Sequence, residues 1–262
     1  MKILKKIFLF FIVYSANCYN IIFNIGSTGL LLPYTMGSLG YIKKNVKIDN
    51  YELIGTSGGA WCAALYLFEN DLSNHDKIWN IFLKNETNET NEINAFKNLD
   101  IFANLSRQNF KDRYKFQNYK IQNININVLD VTNIFKIENI KISQFNDIDD
   151  LINLCYASSY IPFISGKNIC YKYNYRKFID GAVLNGDNKC YNIKYDTNLK
   201  KNIINNYIKL NINYKMWGRK FNEIDKRNIL NIKSSNYLYK MGWEDTEKNI
   251  HKYLKKYDEI IK

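Results

Sequence analysis

The chain has 262 residues, of which 46% are hydrophobic and 24% charged, as is typical of one globular domain. This balance excludes wholesale disorder, and the 2 prolines and 12 glycines exclude collagen-like and proline-rich linker architectures. The formal net charge of +12 is compatible with an anionic partner such as nucleic acid or an anionic lipid surface. Because the basic residues are dispersed and no nucleic-acid-binding motif is recognised, we expect solvated surface charge and no nucleic-acid partner.

The first 18 residues have the layout of a secretory signal peptide. Three lysines precede the apolar run at 7–14 (IFLFFIVY), and small residues follow as far as Cys18. The run is shorter than a membrane-spanning helix requires. We therefore expect cleavage near Cys18, one domain over residues 19–262, and a secreted or lumenal protein. The alternatives are an uncleaved membrane anchor and a buried first strand.

From Asn20 onward, predicted strands alternate with predicted helices, which indicates an α/β layered fold. The first strand spans Asn20–Ile25, and a glycine-containing turn leads to a helix from about Leu30 to Lys44. Strands are also predicted at 51–54, 121–132, 135–142, 176–179 and 207–213, and helices at 60–68 and 147–156. Residues 191–262 are the C-terminal part of the domain, which we expect to be mostly helical with a helix break at Gly242.

The sharpest feature is Gly55-Thr56-Ser57-Gly58-Gly59, a G-x-S-x-G motif between a predicted strand and a predicted helix. This context is typical of a nucleophile elbow, in which a strained turn exposes the serine hydroxyl. The glycines allow close backbone approach, and the N-terminus of the following helix favours a developing oxyanion. We predict Ser57 as the nucleophile, and the alternative is an idle serine in a glycine-rich turn.

A serine nucleophile needs a base, and the chain offers few candidates. Asp180 lies in the apolar stretch 178–183 and is followed directly by Gly181. A carboxylate in such a place is costly unless it is paired or functional, and the glycine lets the chain turn so that the acid faces a neighbouring strand end. The 2 histidines, His75 and His251, lie in polar stretches where we expect surface positions. The alternative for Asp180 is a turn cap.

Taken in chain order, these motifs resemble those of the patatin-like phospholipases, a family of serine lipid acyl hydrolases with a Ser–Asp dyad. The elbow matches the family's G-x-S-x-G motif, and Asp180-Gly181-Ala182 matches the D-G-[GA] motif that carries the dyad acid. Four further segments resemble family segments in the same order: 27–37, 128–132 (VLDVT), 157–163 (ASSYIPF) and 239–246 (YKMGWEDT).

The resemblance implies a three-layer α/β/α fold with a central, mainly parallel sheet. It also implies a lipid acyl hydrolase of phospholipase A or lysophospholipase type that acts on membrane lipids. Ser57 would form an acyl-enzyme and Asp180 would accept its proton. Backbone N–H groups of Gly29, Leu30 and Gly58 would form the oxyanion hole. Such a dyad uses no metal and no cofactor.

The glycine-rich opening departs from the family's usual G-G-G-x-[KR]-G. Ser27 and Thr28 occupy the first two glycine positions, Gly29 is retained, and leucines replace the basic residue and the last glycine. An alignment offset to Gly26 is the alternative. Any residue other than proline still supplies a backbone N–H, but side chains now crowd a turn that glycine usually leaves open.

Two other functions compete with this interpretation. A Ser-Asp-His hydrolase of the α/β-hydrolase fold would use His251, which follows the acids in the expected order, but the elbow comes unusually early in the chain for that fold. A catalytically degraded lipid-binding or scaffold protein is favoured by the altered opening and disfavoured by the presence of Ser57 and Asp180.

The cysteines indicate no metal site, because no Cys/His spacing suggests zinc. Cys62 and Cys155 lie in apolar runs and are expected in the core. Cys170 and Cys190 flank a polar segment and are a candidate disulfide, although we favour free thiols. The sequence does not indicate the oligomeric state.

A lipid hydrolase must reach a membrane surface, and basic side chains together with 15% aromatic residues suit the headgroup region. We therefore expect salt-sensitive peripheral binding to anionic vesicles. Residues 30–34 (LLLPY) lie beside the predicted oxyanion hole. They form either an apolar mouth or, as we favour, the first turn of a buried helix.

Overall fold

The computed structural model describes residues 20–48, 50–78, 99–115, 119–183, 207–221 and 232–254. The strands within these residues are β1 (Asn20–Ile25), β2 (Tyr51–Thr56), β3 (Ile124–Asp130), β4 (Glu138–Ile142), β5 (Tyr171–Tyr173), β6 (Arg176–Asp180) and β7 (Tyr207–Ile212). The helices are α1 (Leu32–Asn45), α2 (Gly58–Phe68), α3 (Leu99–Arg113), α4 (Ile148–Ser158) and α5 (Ile232–Leu254). Short 3-10 turns at Gly29–Leu31 and Ile121–Asn123 precede α1 and β3.

The described strands form one mixed sheet that, with the helices, gives the expected three-layer α/β/α architecture. Strands β7, β1, β2 and β3 are neighbours in that order and run parallel. Strands β4 and β6 both pair with β3 in the antiparallel direction, and β5 pairs with β6. The sheet is therefore parallel at its centre, where the predicted strand–turn–helix units lie, and antiparallel at one side.

The central strands present an apolar face and a more polar face, because side chains alternate along a strand. Phe23, Leu53 and Ile126 belong to the main apolar core together with residues of α1 and α2. On the other face, Asn127 is buried and its Nδ2 donates a hydrogen bond to Thr56 Oγ1 at 3.1 Å. The buried polar side chains of this face are thus paired across strands, as burial of polar groups requires.

One edge of β3 is shared end to end by two strands. Asn127 pairs with Thr56 of β2, and the next residue, Val128, pairs with Asp180 of β6. Strand β4 pairs with both Asn127 and Val128, so it occupies the opposite edge. The carboxyl ends of β2 and β6 therefore meet beside β3, which brings the residue after Thr56 to the level of Asp180.

Helices α1 and α5 pack at backbone contact through a reciprocal pair of glycines. A Cβ on Gly37 would lie 1.9 Å from Tyr239 O, and a Cβ on Gly242 would lie 1.9 Å from Tyr34 O. The prediction of a helix break at Gly242 is wrong, because α5 continues through it to Leu254. The glycine serves close helix packing here, and sequence alone does not distinguish that use from a helix end.

The remaining predictions of secondary structure are largely confirmed, with two omissions. Helix α3 and the short edge strand β5 were not predicted from the sequence.

Cys62 and Cys155 are fully buried free thiols, as expected, whereas the candidate Cys170–Cys190 pair includes a residue outside the described part. The predicted signal peptide also lies outside it. No helix in the described segments has the length and apolar character needed to cross a bilayer.

Candidate active site

Ser57 occupies the turn between β2 and α2 in a conformation that non-glycine residues rarely adopt. Its φ is 56° and its ψ is −132°, so the residue is held in a strained state of the kind found at functional sites. Two glycines make the turn possible. A Cβ on Gly55 would lie 2.6 Å from Ala60 Cα, and a Cβ on Gly59 would lie 2.2 Å from Ile25 O. The local geometry is that of the predicted nucleophile elbow.

The structure brings Ser57 and Asp180 into direct contact. Ser57 Oγ donates a hydrogen bond of 2.6 Å to Asp180 Oδ2, across 123 positions of sequence. This distance lies within the range expected for a nucleophile and its base. Both residues are buried, at 4% and 3% exposure respectively, so the contact is shielded from bulk water.

The environment of Asp180 favours its neutral form. Burial raises the pKa of the Asp180 carboxyl to about 6, although hydrogen bonds from Ser57 and from the Ala182 N–H oppose this rise. A base with a pKa near neutrality is ionised under physiological conditions and still has a measurable affinity for a proton. The carboxylate is thus suited to accept the serine proton and then return it.

The last residue of α4 and the segment that follows it hold both strand ends in place. Ser57 N donates to Ser158 Oγ at 2.8 Å, and Ser158 Oγ in turn donates to Asn127 O. Asp180 N donates to Tyr160 O at 2.8 Å. Ser158 and Tyr160 thus help to position Ser57 and Asp180, a role that the sequence did not indicate, although both fall in the segment 157–163 that resembles a family segment.

The predicted oxyanion-hole segments lie against each other. Gly58 is the first residue of α2, so its N–H has no partner within the helix. A Cβ on Gly58 would lie 2.3 Å from Thr28 Oγ1 and 3.3 Å from Gly29 N. Gly29 has a φ of 49°, a conformation that suits glycine, and Leu30 follows it in the 3-10 turn. The altered opening therefore still packs against the elbow.

Neither histidine takes part in the contact between Ser57 and Asp180. His251 is exposed near the end of α5. His75, contrary to the expected surface position, is buried, with its Nδ1 at 2.9 Å from Asp76 Oδ1 and its Nε2 at 2.8 Å from Ser235 Oγ. The burial of His75 depends on the packing of α5, which the polar sequence around it does not indicate.

Two further features of the site were considered from the sequence: an apolar mouth formed by residues 30–34, and metal ligands. Leu31, Pro33 and Tyr34 are buried and Leu32 is half-buried, so this segment is the start of a buried helix, as favoured, and not an apolar mouth. Across the described residues, no group of three or more His, Cys, Asp or Glu side chains is placed to hold a metal ion.

A family model described as patatin-like phospholipase matches residues 25–188, which is more than half of the chain and includes Ser57 and Asp180. No match to a curated protein was found.

Proposed function

Because the chain belongs to the patatin-like phospholipase family, we propose that it is a lipid acyl hydrolase that cleaves acyl esters of membrane lipids with a Ser57–Asp180 dyad. Family membership supports lipid ester hydrolysis in general, and the finer proposal is a phospholipase A or lysophospholipase activity. The observation that supports the dyad is the 2.6 Å hydrogen bond from Ser57 Oγ to Asp180 Oδ2.

In the proposed acylation, Ser57 Oγ attacks the ester carbonyl carbon while its proton passes to the Asp180 carboxylate. The carbonyl π pair moves to the oxygen, and N–H groups of Gly29, Leu30 and Gly58 stabilise the resulting oxyanion. Collapse of this intermediate breaks the ester C–O bond. The leaving alcohol takes the proton from Asp180, and an acyl ester of Ser57 remains.

In the proposed deacylation, a water molecule replaces the alcohol and the same groups act in reverse. Asp180 accepts a proton as the water oxygen attacks the acyl carbon, and the second tetrahedral intermediate collapses. Ser57 Oγ leaves with the proton from Asp180, and the fatty acid is released. Every step in this scheme uses only residues of the chain and water.

Two single variants and their combination test the dyad. We expect acyl-ester hydrolysis to be lost in Ser57→Ala and in Asp180→Asn while both variants remain folded by circular dichroism. The double variant should be little worse than either single variant, because a dyad acts as a unit. Retained turnover in Ser57→Ala would exclude the covalent serine mechanism.

His251→Ala is the matched test for the alternative Ser-Asp-His hydrolase. The dyad predicts unchanged hydrolysis in this variant, because His251 is exposed on α5 and Asp180 itself contacts Ser57. Loss of hydrolysis in His251→Ala would favour the triad. Lipid binding without any hydrolysis by the unaltered chain would favour the degraded lipid-binding protein.

We also propose that the protein enters the secretory pathway through residues 1–18 and meets its substrate as a peripheral membrane protein. The basic composition, with 37 Lys and Arg against 25 Asp and Glu, supports attraction to an anionic surface. N-terminal sequencing of the secreted or lumenal form would test this, because cleavage predicts a new terminus near Tyr19 and an anchor predicts an intact one.

A further inference from the structure

Exposed apolar side chains are concentrated in the loops around the candidate site. Eight of the ten large hydrophobic side chains exposed among the described residues lie between 134 and 183. Phe135 is 93% exposed and Phe163 is 71% exposed. Single exposed apolar residues need no explanation, but a concentration of them marks an interaction surface. We call the following six residues the apolar rim: Ile134, Phe135, Ile137, Phe163, Ile164 and Tyr175.

Strand register places the hairpin tips of the rim beyond the carboxyl edge of the parallel strands. Ser57 and Asp180 lie at the level of Val128, whereas Val131 N still donates to Lys177 O. Pairing of β3 with the β6 segment thus extends about 10 Å past the dyad at about 3.3 Å per residue. The β3–β4 loop, with Phe135, and the β5–β6 turn, with Tyr175, project farther in the same direction.

The other part of the rim belongs to the loop that holds the elbow. Phe163 and Ile164 follow Tyr160, whose carbonyl accepts the Asp180 N–H. The loop starts at Ser158 beside Ser57 and ends at Tyr171, which pairs with Phe178 of β6. The loop therefore leaves and returns close to the dyad.

The charges of the rim loops are predominantly basic. Asp130 is paired with Arg176, and Glu138 is paired with Lys136 at 3.3 Å. Three exposed lysines form no salt bridge with an acidic residue in the described part of the chain: Lys167, Lys172 and Lys177. Apolar and aromatic tips flanked by free lysines complement a surface that is apolar inside and anionic at its headgroups.

We propose that the apolar rim is a docking surface for an anionic lipid bilayer, in which the two hairpin tips and the 163–164 loop insert at the headgroup level and direct the site toward the membrane. The inference rests on the proposed function for the choice of partner. It goes further in assigning the contact to specific loops, none of which belongs to the 30–34 segment first considered as a mouth.

Vesicle binding by the full chain in a Ser57→Ala background tests the rim independently of turnover. Vesicles of phosphatidylcholine with phosphatidylglycerol are compared with phosphatidylcholine alone in a co-sedimentation assay. Phe135→Ser and Phe163→Ser should each weaken binding about tenfold, because each removes one inserted aromatic side chain. Replacement of Lys167, Lys172 and Lys177 by Gln should remove the preference for anionic vesicles and its salt sensitivity. Tyr237→Ser is the matched control, since Tyr237 is exposed on α5.

The outcomes separate this inference from the proposed function. The docking proposal is overturned if Phe135→Ser and Phe163→Ser bind vesicles as well as the Ser57→Ala background protein. It is also overturned if Tyr237→Ser loses as much binding as the two Phe variants, or if the background protein does not bind vesicles. Rim-dependent binding by a chain that, with Ser57 intact, hydrolyses no ester supports the rim and contradicts the hydrolase. Folding of each variant is checked by thermal unfolding, and Phe135→Leu and Phe163→Leu should retain most of the binding.

A different observation concerns Thr28, which stands where the related family has glycine. Its hydroxyl is buried and has no hydrogen-bond partner in the described structure, and the residue is 9% exposed. Its Oγ1 lies 2.3 Å from the position of a Cβ on Gly58, and Gly29 N lies 3.3 Å from the same position. A buried hydroxyl without a partner is unfavourable, yet this one lies close to two residues that supply proposed oxyanion donors, Gly58 and Gly29.

We infer that Thr28 Oγ1–H is an additional hydrogen-bond donor to the oxyanion in the proposed reaction. The hydroxyl keeps its proton throughout and only donates a hydrogen bond when negative charge develops on the carbonyl oxygen. This assignment, which rests on the proposed function, explains why a side chain at a usual glycine position is compatible with activity. It also gives the unpartnered hydroxyl a partner that exists only during catalysis.

Thr28→Val removes the hydroxyl and preserves the side-chain shape, whereas Thr28→Ser retains the hydroxyl. We expect kcat to fall on the order of a hundredfold in Thr28→Val, as for loss of one oxyanion donor, with KM little changed, and to be largely retained in Thr28→Ser. Thr28→Val should also be more stable than the unaltered protein, because an unpaired buried hydroxyl is lost. Ser106→Ala removes another unpartnered buried hydroxyl and should raise stability without affecting kcat.

The rate at which a fluorophosphonate modifies Ser57 provides the second readout, because the phosphonyl oxygen occupies the oxyanion position. Equal modification and equal kcat in Thr28→Val and the unaltered chain would refute the role of Thr28. Absence of modification in the unaltered chain would refute the serine mechanism, and the Thr28 inference with it. If Thr28→Val does not fold, Thr28→Gly supplies the hydroxyl deletion with the residue usual in the family.

Discussion

Asp180→Asn should make the protein more stable at neutral pH while it abolishes hydrolysis. The substitution keeps the size of the side chain and its capacity to accept a hydrogen bond from Ser57, but it removes the buried charge. Burial raises the pKa of Asp180 from 3.8 to about 6, even though hydrogen bonds from Ser57 and Ala182 act in the opposite direction. At about 1.4 kcal/mol for each pKa unit, ionisation of Asp180 costs the folded state about 3 kcal/mol.

The sign of this effect gives it a characteristic pH dependence. The folded state holds the Asp180 proton more tightly than the unfolded state, so the favourable contribution of this group is present below about pH 4 and is lost as pH rises through about 6. Asparagine does not titrate. The stability of Asp180→Asn relative to the unaltered protein should therefore grow by about 2 kcal/mol from pH 4 to pH 8.

Urea unfolding of both proteins across this pH range measures the difference directly. Other acids with altered pKa values, such as Glu69 and Asp245, are common to both proteins and cancel in the comparison. Ser57→Ala is the control, since it disrupts the same contact and leaves the titrating carboxyl in place. A stability difference between Asp180→Asn and the unaltered protein that is constant with pH would refute the argument from burial.

Further predictions follow from the same geometry. The kcat/KM for a soluble ester should rise with pH through about 6, because Asp180 must be ionised to accept the serine proton; a pH-independent profile from 5 to 8 would contradict this. Hydrolysis should persist in the presence of a chelator, and its loss would contradict the metal-free scheme. Gly242→Ala should destabilise the fold by about 3 kcal/mol in urea unfolding, because the new Cβ would lie 1.9 Å from Tyr34 O. Gly218→Ala should cost only about 1 kcal/mol, since its φ is 77° and no atom lies within 4 Å.

The elbow was predictable from the sequence because all its determinants are local. A strand, a tight glycine turn and an apolar helix lie within residues 51–68, and the structure shows the same order. Asp180 was also identifiable, because an acid in an apolar strand is unfavourable without a partner or a role. In both cases a local feature of the sequence marked the position: a consistent strand–turn–helix order for Ser57, and an acid in an apolar stretch for Asp180.

What the sequence did not show depends on contacts between distant segments. The antiparallel pairing of β6 with β3 places Asp180 at the end of β2, and no local pattern specifies that register. Helix α3 is half polar and is tied to α4 by ion pairs of Arg107 and Lys111 with Asp149. Ser158 contacts Ser57 only because the end of α4 packs against the elbow, and nothing in the sequence near Ser158 indicates this packing.

Three unfavourable features of the structure meet within the candidate site. Ser57 has a strained backbone, Asp180 is a buried acid whose ionisation is opposed, and Thr28 has a buried hydroxyl without a partner. A substitution of similar size would relieve either of the last two. Proteins that keep such costs at one place usually do so because the chemistry there requires them. Because the three features fall on the proposed nucleophile, base and oxyanion donor, their coincidence favours a working hydrolase over a degraded lipid-binding protein.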